Sequence, residues 1–467
     1  MGNYRKKIEN NVLINRFENY LKNHAPLFLE MEAFEEIISV YQENFKFKKA
    51  LIACELAEEQ YPFSIEILIM KSQVLSNLEM YDEALELLER AQSLQPNEAD
   101  IYLMKGSICA LQYRHEEAIE AYNMALKFAE DKDEVYYSLG MSYQSLDDYP
   151  RAIECYKEAI ELNILHEGAL YELAFCLDFI GELEKSISYY KKFIDSDPYS
   201  QGAWYNLGIV YNKLEKYELA IDAYEYAIAI EENFASAHFN MGNTFMSLEQ
   251  YTKSLDAYRK TIDIEGPSPE VYCSLGKVYE NMDQYELGLK YYQKCTKLDN
   301  MYAEAWFGAG TCLSSQDKWF EAIHFIKKAI KFDDLNGEYW LELGRVEYAV
   351  GNVVSGLSSY ERAAELDPEE IDIWLEWSYI YYEQGQIDAA IDVIFMAFEE
   401  HTEDADLHYR LTAYLIDAGK FKEAFNYLEN ALILDFEKHE VLFEFFPKLE
   451  TQKALYKIID QYRKDNY

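Results

Sequence analysis

Residues able to do chemistry are plentiful in this chain, but their spacing is not that of a reactive centre. The 85 Asp and Glu side chains among 467 residues could supply general acids and bases, yet carboxylates so abundant single out no site. The seven cysteines, at 54, 109, 155, 176, 273, 295 and 312, include no CxxC and no ligand-like cluster. They read as buried thiols of a reducing compartment. His401 and His408 stand seven apart in "HTEDADLH" and read as surface or packing histidines rather than a metal pair. There is no phosphate-cradling glycine loop, no nucleophile elbow and no HExxH. The expectation is a chain without catalysis, resident metal or cofactor.

What remains is the chemistry of recognition. The chain holds 42 tyrosines and 25 phenylalanines. Aromatics with a polar tip, and flexible methionines, bury much area at low entropic cost. An amide donates and accepts at once, so asparagine can pair with a peptide bond whatever side chain the bond carries.

Charge narrows the partners. A formal net charge of −42 repels nucleic-acid phosphates and anionic membranes, since both kinds of binding begin with Lys or Arg neutralising negative charge. Basic partners are attracted instead, and less so as salt rises. The start, "MGNYRKKIENNVLINRFENYL", lacks the uninterrupted apolar core of a signal peptide, and Lys6 stands where myristoylation wants Ser or Thr. No stretch approaches the roughly 20 apolar residues of a membrane span. The expectation is a soluble, cytoplasmic protein.

The elements that must position the rings announce themselves by repetition. Stepping by 34 from Gly208 reaches Ser72, Gly106, Gly140, Ala174, Gly242, Gly276, Gly310, Gly344, Ser378 and Thr412, all small. The same step from Ala220 reaches only Ala, Ser and Gly, and a third ladder through Ala227 is mostly alanine. Small residues on two helices of one unit let the backbones approach closely. Between the ladders run apolar stripes at helical spacing, Trp204–Leu207–Tyr211 and Tyr217–Ile221–Tyr224–Ile228. Glycine precedes the second helix at 181, 351, 385 and 419, and proline follows it at 62, 96, 198 and 368.

This spacing, written as Trp204, Leu207, Gly208, Tyr211, Ala220, Tyr224 and Ala227, resembles the tetratricopeptide repeat. The resemblance covers about nine-tenths of the chain, with departures at Ile38 in the first unit and His408 in the last. It implies an all-α fold: a right-handed superhelix of helix pairs whose first helices line a concave groove. Twelve units fit between residues 31 and 438. Residues 1–30, with a stripe of Ile8, Val12, Phe17, Tyr20 and Leu21, are expected to form an N-terminal cap. Residues 439–467, with Pro447, Leu455, Ile458, Ile459 and Tyr462, are expected to form a C-terminal cap. The "LFEFF" stretch there is alternatively a docking or dimerisation patch.

In that family pattern the second place of each first helix faces the groove. Here it is acidic except at Gly168, Gly202 and Ser236. First-turn acids also suit the helix dipole, which leaves the three gaps unexplained. The fifth places over the same window are Tyr137, Tyr171, Tyr205 and Phe239, with Met141, Phe175, Phe179, Ile209 and Met246 around them. Asn206 and Asn240 occupy the sixth place in adjacent units and resemble the asparagine ladder by which some members hold a peptide main chain. These residues are the expected peptide-binding groove, although packing of one first helix on the next accounts for part of the pattern. The family's two-carboxylate clamp needs Lys at the fifth place; none is present, and Arg345 and Lys277 read as lone basic groups. Three functions follow in order: an adaptor holding an apolar, basic peptide; a scaffold that self-associates through its convex face or C-terminal cap; and, distantly, recognition of RNA.

Overall fold

The computed structural model describes residues 2–23, 27–445 and 453–466. Two compact units divide the chain, Met1–Glu232 and Asn233–Tyr467. In the first, α1 (Gly2–Asn23) precedes the pairs α2 (Met31–Glu43) with α3 (Phe47–Gln60), α4 (Ile65–Asn77) with α5 (Tyr81–Leu94), and α6 (Ala99–Leu111) with α7 (His115–Ala125). There follow α8 (Asp133–Ser145) with α9 (Tyr149–Leu162), α10 (Glu167–Phe179) with α11 (Ser186–Ser196), and α12 (Gln201–Lys213) with α13 (Tyr217–Ile230).

The second unit repeats the plan. Its pairs are α14 (Ala235–Ser247) with α15 (Tyr251–Glu265), α16 (Pro269–Asn281) with α17 (Tyr285–Leu298), and α18 (Ala303–Ser314) with α19 (Trp319–Phe332). Next come α20 (Gly337–Ala349) with α21 (Val353–Leu366), α22 (Ile371–Glu383) with α23 (Ile387–Ala397), and α24 (Ala405–Asp417) with α25 (Phe421–Leu434). Helices α26 (His439–Phe445) and α27 (Lys453–Asn466) end it.

Each pair is closed by one backbone device. Among the described residues, a left-handed residue recurs every 34 positions from Phe45 to Gly419, with φ between +54° and +85°. At Glu215 the N–H groups of Leu214, Glu215 and Lys216 bond back to Val210, Asn212 and Tyr211 carbonyls at 3.1, 3.0 and 2.9 Å, which satisfies the last carbonyls of α12. Glycine takes this conformation freely, so the sequence shows it at 181, 351, 385 and 419. Phe45, Glu79, Tyr113, Asp147, Glu215, Glu249, Asp283 and Asp317 adopt it too, without a compositional signal.

The first small-residue ladder has a different cause from the one its spacing suggests. A Cβ on Gly208 would stand 2.5 Å from the Tyr224 ring, and Gly106, Gly140, Gly242, Gly276 and Gly344 face Tyr122, Tyr156, Tyr258, Tyr292 and Tyr360 in the same way. Glycine on the first helix makes a slot for a buried tyrosine sixteen residues later. The second ladder does set backbone approach: a Cβ on Gly288 would lie 3.3 Å from the Gly276 carbonyl oxygen, and Ser254 Oγ donates to the Gly242 carbonyl at 2.9 Å.

At the chain ends, Phe17 of α1 is fully buried and packs on Tyr41 at 5.8 Å. Leu455 and Ile459 of α27 are buried, and Tyr462 stacks on Phe436 at 5.8 Å. Pro447, part of the "LFEFF" stretch and the side chain of Ile8 lie outside the described residues.

Candidate peptide-binding face

In the first unit, the first helices of successive pairs touch, α8 with α10 and α10 with α12. Two caps hold this run. His166 Nδ1 accepts the Ala169 N–H at the start of α10, at 3.1 Å. Ser200 Oγ accepts the Ala203 N–H at the start of α12 and donates to Glu167 Oε1 of α10 at 2.9 Å, so one hydroxyl both caps a helix and ties it to its neighbour.

On that frame α10 presents Tyr171, Phe175 and Phe179 on successive turns, with 52%, 47% and 65% of their surface exposed. Phe179 lies against Tyr149 of α9, ring centroids 4.1 Å apart. Met141 of α8 is exposed. Tyr137 and Tyr205 are only half-buried, each leaning on the tyrosine in its own pair's slot, Tyr156 and Tyr224, at 6.0 Å. A cleft of about 190 Å³ runs between α10 and α12, with Tyr171, Phe175 and Asp178 on one wall and Asn206, Ile209 and Lys213 on the other. A second, of about 360 Å³, opens between α6 and α8 beside Tyr137 and Met141.

The rings therefore divide. Tyr171 and Phe175 are open to solvent, whereas Tyr137 and Tyr205 are partly spent on packing against the slot tyrosines. In the second unit Phe239 leans on Tyr258 at 5.5 Å and, with Met246, packs against the core around Leu255 and Tyr279. Asn240 is half-buried on the same helix.

Tyr137 also explains one gap in the acidic second places. Its ring lies over His166 at 4.8 Å, and a Cβ on Gly168 would come within 3.2 Å of it. A glutamate there would press its Cβ on the ring, which would have to give by a few tenths of an ångström. At Gly202 a Cβ would meet nothing closer than Ser200 Oγ at 3.9 Å, so nothing in the packing explains the absence of acid at that position.

Electrostatically the face is acidic at its edges. Lys213 is paired with Asp178 and Lys216 with Glu184. Glu167 and Glu172 carry hydrogen bonds from Ser200 and Gln144 and, among the described residues, no cation. Burial, then Glu172 and Glu134, push the Tyr137 phenol above its ordinary range. Burial holds the Cys155 and Cys176 thiols up to about 12.

Asp133, Glu134 and His166 bring three ligand-type atoms within 4.8 Å of one another. The cap bond decides against a metal there. A neutral imidazole whose Nδ1 accepts a backbone N–H carries its proton on Nε2, so His166 offers Glu134, 3.6 Å away, an N–H rather than a lone pair. His401 Nε2 meets the Pro368 carbonyl at 2.9 Å, and His408 is buried between Phe398 and Tyr427.

Arg345 is not a lone cation: its Nε and Nη2 fork onto Glu376 at 2.9 and 2.6 Å, and Glu342 lies 3.5 Å from Nη1. Spacing alone missed this, because the partner sits 31 residues away on the next pair.

Helix pairs in a 34-residue register, each closed by a left-handed residue and six of them built on a glycine–tyrosine slot, define a tandem helical-repeat protein. Tetratricopeptide repeat profiles match residues 134–163 and 202–234, 69–133 and 341–395, and 168–200, 235–266 and 269–300, together more than half of the chain. The chain belongs to the tetratricopeptide repeat family, whose members generally act as non-catalytic scaffolds for protein–protein interaction. No curated protein matches it.

Among solved structures it is similar to YrrB, described as a TPR protein with an unusual peptide-binding site, at 21% identity over 39% of this chain and 95% of that one, TM-score 0.33. It is similar to Cut9 in the APC/C hetero-tetramer Cut9–Hcn1, at 12% identity over 93% and 96%, TM-score 0.39. It is also similar to yeast Tom70, at 14% identity over 81% and 97%, TM-score 0.44.

Proposed function

We propose that the protein is a non-catalytic adaptor that holds a peptide segment of a partner protein on its first helices. The division that goes with this is twelve repeats over residues 31–438, with 1–30 and 439–467 as caps. The proposed binding residues are Tyr137, Met141, Tyr171, Phe175, Phe179, Tyr205, Asn206 and Ile209 in the first unit and Phe239, Asn240 and Met246 in the second. The observation that carries the reading is the half-exposed row Tyr171–Phe175–Phe179. Packing does not need these faces, and contiguous apolar surface left open marks an interaction site. Edges carrying Glu167 and Glu172 without cations favour a partner that is apolar and basic, and the overall charge disfavours nucleic acid and anionic membrane. No described helix is long and apolar enough to cross a membrane. The seven free cysteines favour a reducing compartment, and the cytoplasm is the location we propose.

The experiment is affinity capture from native lysate with wild type and a Tyr171→Ala/Phe175→Ala double variant. Both rings are about half exposed, so the variant keeps its thermal midpoint while losing the partner. A variant that retains every wild-type partner ends the reading. Tyr205 and Phe239 are poorer test positions, because alanine there also removes a ring contact to the core.

A self-associating scaffold is the second reading. Ile433 is 67% exposed on a cleft of about 530 Å³ between α25 and α27. Sedimentation of wild type and Ile433→Glu at high salt tests it: a monomer in both removes it.

A further inference from the structure

The shape of the exposed row restricts what can lie on it. Tyr171, Phe175 and Phe179 are four residues apart, so they run along α10 over about 12 Å rather than from helix to helix. The neighbouring cleft runs the same way, between α10 and α12. A ligand that uses the whole row must lie along α10.

An extended ligand in that direction places about four residues over the row, each with a backbone N–H and C=O. The face has little to offer them. Besides the Tyr171 hydroxyl and the Asn206 amide, the cleft's charged groups, Asp178 and Lys213, are occupied with each other. Each backbone group turned toward the rings and left unpaired loses its bond to water with nothing in return. A helical ligand arrives with its backbone bonds already made, and its i, i+4 ridge matches the spacing of the rings.

We infer that the occupant of this face is an amphipathic α-helix, apolar on one side and carrying Lys or Arg on its flanks, lying along α10 against α12. Glu167 and Glu172, hydrogen-bonded but without cations, are the groups its basic flanks meet. The inference rests on the functional reading above and adds the conformation and chemistry of the guest.

The test uses the full chain and two fluorescein-labelled peptides in an anisotropy titration at physiological salt. One is about 18 residues long, long enough to be helical, with Leu at i, i+3, i+4 and i+7 and Lys and Ala elsewhere. The other has the same composition except for two central prolines, which forbid the helix. The helical peptide is expected to bind at least tenfold more tightly than the proline peptide, to gain helical circular dichroism on binding, and to lose tenfold against Tyr171→Ala/Phe175→Ala. If the proline peptide binds as well and is lost in the same variant, the helical guest is overturned while the face stands. If binding of neither peptide responds to the variant, both are overturned.

Discussion

Gly208→Ala tests whether the tyrosine slot organises this fold. Helix propensity alone makes the change favourable, since alanine is better than glycine inside a helix by about 1 kcal/mol. The slot opposes it. The new Cβ would meet Tyr224 ring atoms at 2.5, 2.7 and 3.0 Å, where carbon contacts want about 3.5–4.0 Å. The ring must retreat by about 1 Å, yet it is 1% exposed and enclosed on every side. Overpacking of this kind costs about 1–3 kcal/mol, so against the gain in helix propensity the net expectation is a loss of up to about 2 kcal/mol. The control lies on the same helix: Gly202→Ala introduces a Cβ with nothing nearer than 3.9 Å and is expected to hold or raise stability. Urea midpoints of the two variants, with hydrogen exchange to localise the change to α12 and α13, give the comparison. Because Tyr205 leans on Tyr224 at 6.0 Å, the slot variant is also expected to weaken peptide binding, whereas Gly202→Ala leaves it intact. A Gly208→Ala protein as stable as Gly202→Ala refutes the slot.

Gly419→Ala isolates the turn device. Its φ is +74° and a Cβ would touch nothing, so the expected loss of about 1 kcal/mol is purely backbone, read as a lower urea midpoint. Two buried carboxylates are expected to respond oppositely to pH. Glu347, 2% exposed and bonded to Lys327 and Asn352, has its pKa lowered by those bonds against the cost of burial. Its stabilising share is present above the ordinary carboxylate pKa and lost as pH falls through the folded value, so Glu347→Gln flattens the acid limb of a stability profile. Burial raises the pKa of Glu342; protonation there favours the fold, and Glu342→Gln is expected to raise the thermal midpoint at neutral pH. The Cys54, Cys155 and Cys176 thiols, pushed up to about 12 by burial, are expected to resist iodoacetamide in native protein at pH 8 and to react on unfolding, as counted by mass spectrometry.

Much of the fold was legible in the chain because the repeat is local and in phase. Helix periodicity, two small-residue ladders and four turn glycines specify helix pairs without any knowledge of long-range contacts, and the family follows from them. The reason for the first ladder was not legible. Gly208 and Tyr224 are sixteen residues apart, and only packing shows that one is small to admit the other. Eight of the left-handed turns were also hidden, since Phe, Glu, Tyr and Asp occupy them at a modest energetic cost that composition does not reveal. For the candidate face, a fifth-place aromatic is the same letter whether it leans on a slot tyrosine, as Tyr205 does, or stands open, as Tyr171 does. Arg345 gave no sign of the Glu376 fork.

The amino-acid order by itself determined the helices, their register and the excess of acid, because each depends on residues within a turn or two, or on a sum over the chain. Tertiary structure alone decided which rings are spent on packing and which remain exposed. Exposure is set by neighbours brought in from adjacent pairs, and those are tens of residues distant along the chain.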